Sequence, residues 1–156
     1  MIIVMLDTNV YGRPFDDLHS YEIAAEASAA YQILMLGYSG LITIRTSDVL
    51  FAELGMIKDA LKKKFIFYLV KQTGENRIKL GKEVVKLADS LSSIVKDYMD
   101  ALHIAFAAAG GCDYLVTCDK EIFDAYQAIE NLLSQYGFKT KLRNPVDFVR
   151  EARSVL

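Results

Sequence analysis

Short β-branched runs alternate along the chain with longer stretches in which apolar residues return every three or four positions. "IIVML" at 2–6 is a continuous apolar run, which predicts a strand buried on both faces. "LITIR" at 41–45 and "YLVT" at 114–117 predict two more strands, and "FKTKLR" at 138–143 a weaker fourth. Between the first two, Tyr21, Ala24, Ala27, Tyr31 and Leu34 recur at helical spacing, with Gly37 as the helix end. Ser47 is placed to cap a helix through Met56 that continues or restarts to Val70. Further helices are expected over 79–91, from Asp97 to the pair Gly110-Gly111, over 121–136, and after Asn144-Pro145. "RPFDD" at 13–17 reads as a loop and "QTGEN" at 72–76 as a turn. Strands alternating with helices predict an α/β fold, a three-layer α/β/α sandwich around a mostly parallel sheet, as one domain over 1–156.

Composition narrows the class. The 156 residues are 53% hydrophobic, enough for a real core. A net charge of −2, from 18 basic and 20 acidic residues, argues against a strongly basic nucleic-acid binder but leaves room for a local basic groove. Cys112 and Cys118 have neither a CxxC partner nor a histidine at metal spacing, so a reduced, cytoplasmic setting is expected. The opening apolar run is too short for a leader or a membrane span and meets Asp7 at once, so no membrane association is expected.

The acids carry the chemistry. In an open parallel sheet, sites form beyond the carboxyl ends of the strands. Asp7 directly follows the first strand, and Asp119 comes two residues after "YLVT". Asp100 lies in the first turn of a helix that must run antiparallel to the strands to reach "YLVT", which brings it to the same edge. Glu53 sits on a helical stripe with Val49, Leu50, Met56 and Ile57, where a carboxylate is costly unless paired or bound to a cation. It lies only ~9 Å along its helix from that edge. Each acid also has an ordinary reading: a turn at Asp-Thr-Asn, a helix cap at Asp119, a capping box at Asp97-x-x-Asp100, or a rim glutamate reaching water. It is their convergence on one edge that points to a site. Clustered carboxylates repel, raise one another's pKa values and attract a cation. Oxygen ligands without Cys or His suit Mg²⁺ or Mn²⁺, which can activate water and offset phosphoryl charge.

At these residues the sequence resembles a PIN domain. The matching segments are "LDTNV" at 6–10, "SDVLFAEL" at 47–54, "DALHIA" at 100–105 and "DYLVTCDK" at 113–120, with "NPVDF" at 144–148 resembling the end of the domain. The resemblance implies a metal-dependent ribonuclease leaving 5′-phosphate and 3′-hydroxyl ends, often the toxin of a VapC-type toxin–antitoxin pair. It implies an RNA substrate, an antitoxin protein partner and a homodimer. It also implies that Asp7, Glu53, Asp100 and Asp119 form the catalytic metal site, supported by hydrogen bonds from Asn9 and Thr117. Residues 58–76 fall outside the recognisable core.

Other residues have two readings each. His103, one turn after Asp100, is expected to pack in the interior, with ligand orientation as the alternative. Lys58, Lys62, Lys63 and Lys64 read as a solvated helix face, or as contacts to RNA phosphates or an acidic partner. Arg13 and Arg45 are candidates to hold a phosphate. The stripe of Tyr21, Ala24, Tyr31 and Leu34 is expected to be core, or else a self-association face. Two other functions compete with the nuclease. A phosphatase using Asp7 as nucleophile wants a second acid two residues on, where this chain has Asn9. A non-catalytic PIN-like module binding RNA or protein would be favoured by an incomplete acidic set.

Overall fold

A computed structural model describes residues 1–156. Five parallel strands form one sheet in the order β3-β2-β1-β4-β5: β1 (Ile2–Leu6), β2 (Ile42–Ser47), β3 (Gly74–Ile78), β4 (Tyr114–Val116) and β5 (Lys141–Arg143). The central strand β1 pairs Val4 with Ile44 on one side and with Tyr114 on the other. Its alternating side chains feed two separate cores. Val4 and Leu6 join one cluster with helices α1 (Thr8–Gly12), α2 (Tyr21–Tyr38), α3 (Asp48–Gly55), α4 (Ala60–Thr73) and α9 (Pro145–Val155). Met5 joins the other, with α5 (Lys82–Leu91), α6 (Tyr98–Ala109), α7 (Lys120–Asp124) and α8 (Tyr126–Gln135). Val4, Met5 and Leu6 are all buried, each worth roughly 1.5–3 kcal/mol of apolar transfer. This is the three-layer α/β/α sandwich that the alternation predicts. No helix is long and apolar enough to cross a membrane.

The chain turns one way from β1 to β2 and the other way from β1 to β4, so the strand order reverses between β1 and β4. Ligand crevices of parallel sheets open at such a reversal, beyond the carboxyl ends. The helix caps fix the geometry there. Ser47 accepts from Leu50 N (3.2 Å), Asp97 from Met99 N (2.9 Å), and Asn144 from Asp147 N (2.8 Å). Gly111, at φ +70, closes α6 in the left-handed conformation that glycine adopts without strain.

Four expectations are corrected. "QTGEN" is not a free turn: α4 runs through Thr73, and Gly74 begins edge strand β3, which pairs with β2. Its residues Glu75, Asn76 and Arg77 are exposed, so it lacks the apolar run that marks a buried strand. Thr8–Gly12 forms a short helix where Asp-Thr-Asn suggested only a turn, and Arg13–Phe15 adds a 3-10 turn. The expected helix over 121–136 breaks at Ala125 into α7 and α8. On α2, Leu34 is buried, but Tyr21 and Tyr31 are 92% and 54% exposed. The inward face keeps Ala27 and Leu34 but is completed by Ala29, Ala30 and Ile33 rather than by the tyrosines.

Candidate active site

Asp7 is the first residue beyond β1. Its N–H donates to Val116 O (2.9 Å), which ties it to the end of β4. Its side chain makes no cap bond to α1 and is left for the site. Asp7 Oδ2 accepts from Thr117 Oγ1 (2.8 Å) and from Asn9 Nδ2 (3.3 Å). Asn9 Oδ1 in turn accepts from Cys118 N (3.0 Å), and Thr117 Oγ1 from Asp119 N (3.1 Å). Asn9 and Thr117 thus lace the ends of β1 and β4 together and aim the buried carboxylate.

Asp119 caps α7, its Oδ1 accepting from Glu121 N (2.9 Å). The ordinary capping role is therefore real, and it fixes the carboxylate at the rim rather than consuming it. Asp100 faces it from the first turn of α6. Burial first, then the charges of Asp119 and Asp7 and a hydrogen bond with Asp119, push the Asp100 carboxyl up to about 7. The capping work on α6 is done by Asp97, which accepts from both Met99 N and Asp100 N, so the Asp100 side chain is left to face Asp119.

Glu53 reaches the same place from α3, half-buried, accepting from Thr8 Oγ1 (2.9 Å) and from His103 Nε2. His103 is buried, as its position among apolar neighbours predicts, yet it also belongs to the site. Its Nε2 lies 3.4 Å from Asp7 Oδ1 as well as on Glu53, and its Nδ1 is buried without a partner. Ionised carboxylates only accept, so Nε2 carries the proton. Burial pushes the imidazole down, but the charges and hydrogen bond of Asp7 and Glu53 outweigh it and the net shift is upward. Burial raises Glu53, and the His103 and Thr8 contacts reverse that to a net lowering. Asp7 ends up raised, chiefly by burial, against the opposing pull of His103 and Thr117.

Asp7, Glu53 and His103 offer ligand atoms all within 4.8 Å of one another, while Asp100 and Asp119 form an adjoining pair. Asp7 is the hinge between the two groups, since its charge acts on Asp100 and it lies beside His103. The signal for His103 was its i+3 spacing from Asp100, which puts both on one helical face. Arg13 lies beside Cys118, next to the acids, and Arg45 away from them. Arg13 is engaged by Asp16 (3.0 Å) and Glu26 (3.2 Å). Arg45 donates to Gly110 O at the far end of α6, so it lies away from the rim that the acids share. Neither offers a free fork to a phosphate.

The donor set fits a hard divalent cation: carboxylate oxygens dominate, one imidazole adjoins, and the crowding that raises the Asp100 carboxyl is what a cation would relieve. Both cysteines are buried, and burial pushes each thiol up to about 12. That keeps them out of the chemistry.

A parallel α/β/α sandwich with acids gathered at the reversal of strand order defines a class of scaffolds suited to a metal site at the carboxyl edge. Within it, the sequence profile described as PIN domain matches residues 4–128. The chain belongs to the PIN domain family, whose members are generally nucleases. Among curated proteins, none matches the chain.

Proposed function

We propose that the chain is a Mg²⁺- or Mn²⁺-dependent endoribonuclease whose cation is held by Asp7, Glu53, Asp100 and Asp119. The observation that carries this reading is the raised Asp100 carboxyl beside Asp119 and Asp7: three acids held together by backbone geometry, with no lysine or arginine among them. When bound, the ion would lower the pKa of a water and offset charge on the phosphodiester. The chain's own residues do the rest. Thr117 and Asn9 hold the Asp7 carboxylate in one orientation, and Thr8 and His103 hold Glu53. Asp100 and Asp119, which face one another at the rim, would orient the attacking water. The products would carry 5′-phosphate and 3′-hydroxyl ends.

For setting, we propose a cytoplasmic homodimer acting as the VapC-like toxin of a type II toxin–antitoxin pair, on the strength of the motifs at 6–10 and 100–105. The test of the site is Mn²⁺ binding followed by electron paramagnetic resonance, alongside chemical identification of the cleaved ends. Tight binding in the wild type that weakens at least tenfold in Asp100→Asn supports the assignment. Equal binding by both would sink Asp100 as a ligand, and 2′,3′-cyclic phosphate ends would exclude attack by water.

A further inference from the structure

A nuclease with an acidic centre and a net charge of −2 must still hold a polyanion, so cations have to stand near the rim. Helix α4 supplies them. It leads into the parallel strand β3, so its N-terminus stands at the carboxyl edge of the sheet, where the acids lie. Its first turns are tied to the two helices that carry the site. Lys63 Nζ donates to Gly55 O (3.1 Å) at the end of the Glu53 helix, and the Lys62 ammonium lies 3.9 Å from where a Cβ would stand on Gly12, at the end of α1.

From that edge, the outer face of α4 presents an open trough of about 480 Å³ lined by Ala60, Lys63, Lys64, Phe67, Tyr68 and Lys71. Tyr68 is 60% exposed, and the neighbouring Phe65 is 52% exposed. None of the lysines on α4 forms an ion pair with a carboxylate. Ammonium groups interleaved with ring faces are the composition that holds single strands: cations track the backbone and bases stack on rings. Lysine is depleted at protein–protein interfaces, so the same lining argues against a protein occupant. Lys64 and Lys71 are two helical turns apart, ~10 Å along the axis, so the trough runs with the helix away from the catalytic edge.

We infer that the outer face of α4 is the substrate-tracking surface, binding single-stranded RNA through Lys63, Lys64 and Lys71 with a base stacked on Tyr68. This rests on the nuclease reading only for the choice of RNA as the polyanion. Under it, the stretch 58–76 that lies outside the family's recognisable motifs carries substrate contact rather than idle surface charge.

The test is binding of a fluorescein-labelled single-stranded RNA 20-mer by the full chain in EDTA, across a salt series, by fluorescence anisotropy. Thermal melts would confirm that each variant is folded. Lys64→Gln/Lys71→Gln is expected to lower the magnitude of the log K versus log salt slope by ~1.4, about 0.7 per lost phosphate contact. Tyr68→Ala is expected to weaken binding at least ~5-fold with the slope unchanged, as loss of one stacked base would. Unchanged affinity in both variants, or no RNA binding by the wild type at low salt, overturns the inference. So does a loss of self-association in the variants with RNA binding intact, which would give the face to a second copy of the chain. Because EDTA silences cleavage, RNA binding through α4 without metal-dependent cutting would leave this surface standing and remove only the nuclease reading.

Discussion

Asp7 shows how much local support one buried carboxylate needs. Two hydrogen bonds hold its Oδ2, and His103 lies on its other oxygen. Thr117→Val keeps the shape but removes a bond to a charged group, so a loss of roughly 1.5–3 kcal/mol in urea unfolding is expected. An unchanged midpoint would show that Thr117 does not support Asp7. The sequence made Asp7 legible because it follows an unmistakable buried strand, and Asp119 likewise. It left the role of His103 undecided, because an imidazole between apolar neighbours on one helix reads the same whether or not an acid from another helix faces it. Only the approach of Glu53 from α3 decides that. The partners of Arg13 and Arg45 were not legible for a related reason: Glu26 and the Gly110 carbonyl are brought to them only by the fold.

At the scale of elements, the buried strands and the capped helices were readable, because an apolar run or a capping residue is a local signal. Strand β3 was not. Its exposed residues resemble a loop, and it exists because α4 delivers the chain alongside β2. Gly74 is the joint. A Cβ there would lie 2.5 Å from Thr46 Cγ2 and 2.7 Å from Val70 O, and the latter is backbone that cannot swing aside. Gly74→Ala is therefore expected to cost about 1–3 kcal/mol. Hydrogen exchange should show the loss first in β3 and the end of α4, and uniform protection would contradict this. The Asp97 cap makes a second test, because it sets the first turn of α6 and with it Asp100. Asp97→Ala should cost ~1 kcal/mol and weaken metal binding too, whereas a purely local cap would change stability alone.

For the whole molecule, the crowded acids tie stability to pH. The folded Asp100 pKa, near 7, lies above its ordinary value of 3.8, so the folded state holds more protons than the unfolded state between those values. The Asp100 contribution to stability is full below about 3.8 and is lost as pH rises toward 7. In EDTA, Asp100→Asn should therefore melt higher than wild type at pH 8, with the difference shrinking toward pH 4. Mg²⁺ should raise the wild-type melting temperature at pH 8 and leave the variant nearly unchanged. A variant that melts lower than wild type at pH 8 would contradict the repulsion on which the site is built. The three-layer architecture and the edge where the acids meet followed from the order of strands and helices alone. Which carboxylates crowd one another, and which meet an imidazole, depended on packing between layers.

The most direct measurement is cleavage of end-labelled mixed-sequence RNA by the purified chain in Mg²⁺, Mn²⁺ or EDTA, beside Asp7→Asn. The account predicts cutting that requires the metal and falls at least ~100-fold in the variant, the scale of losing one preorganised charge contact. Equal cutting by the variant, or cutting that persists in EDTA, would contradict a metal site centred on Asp7.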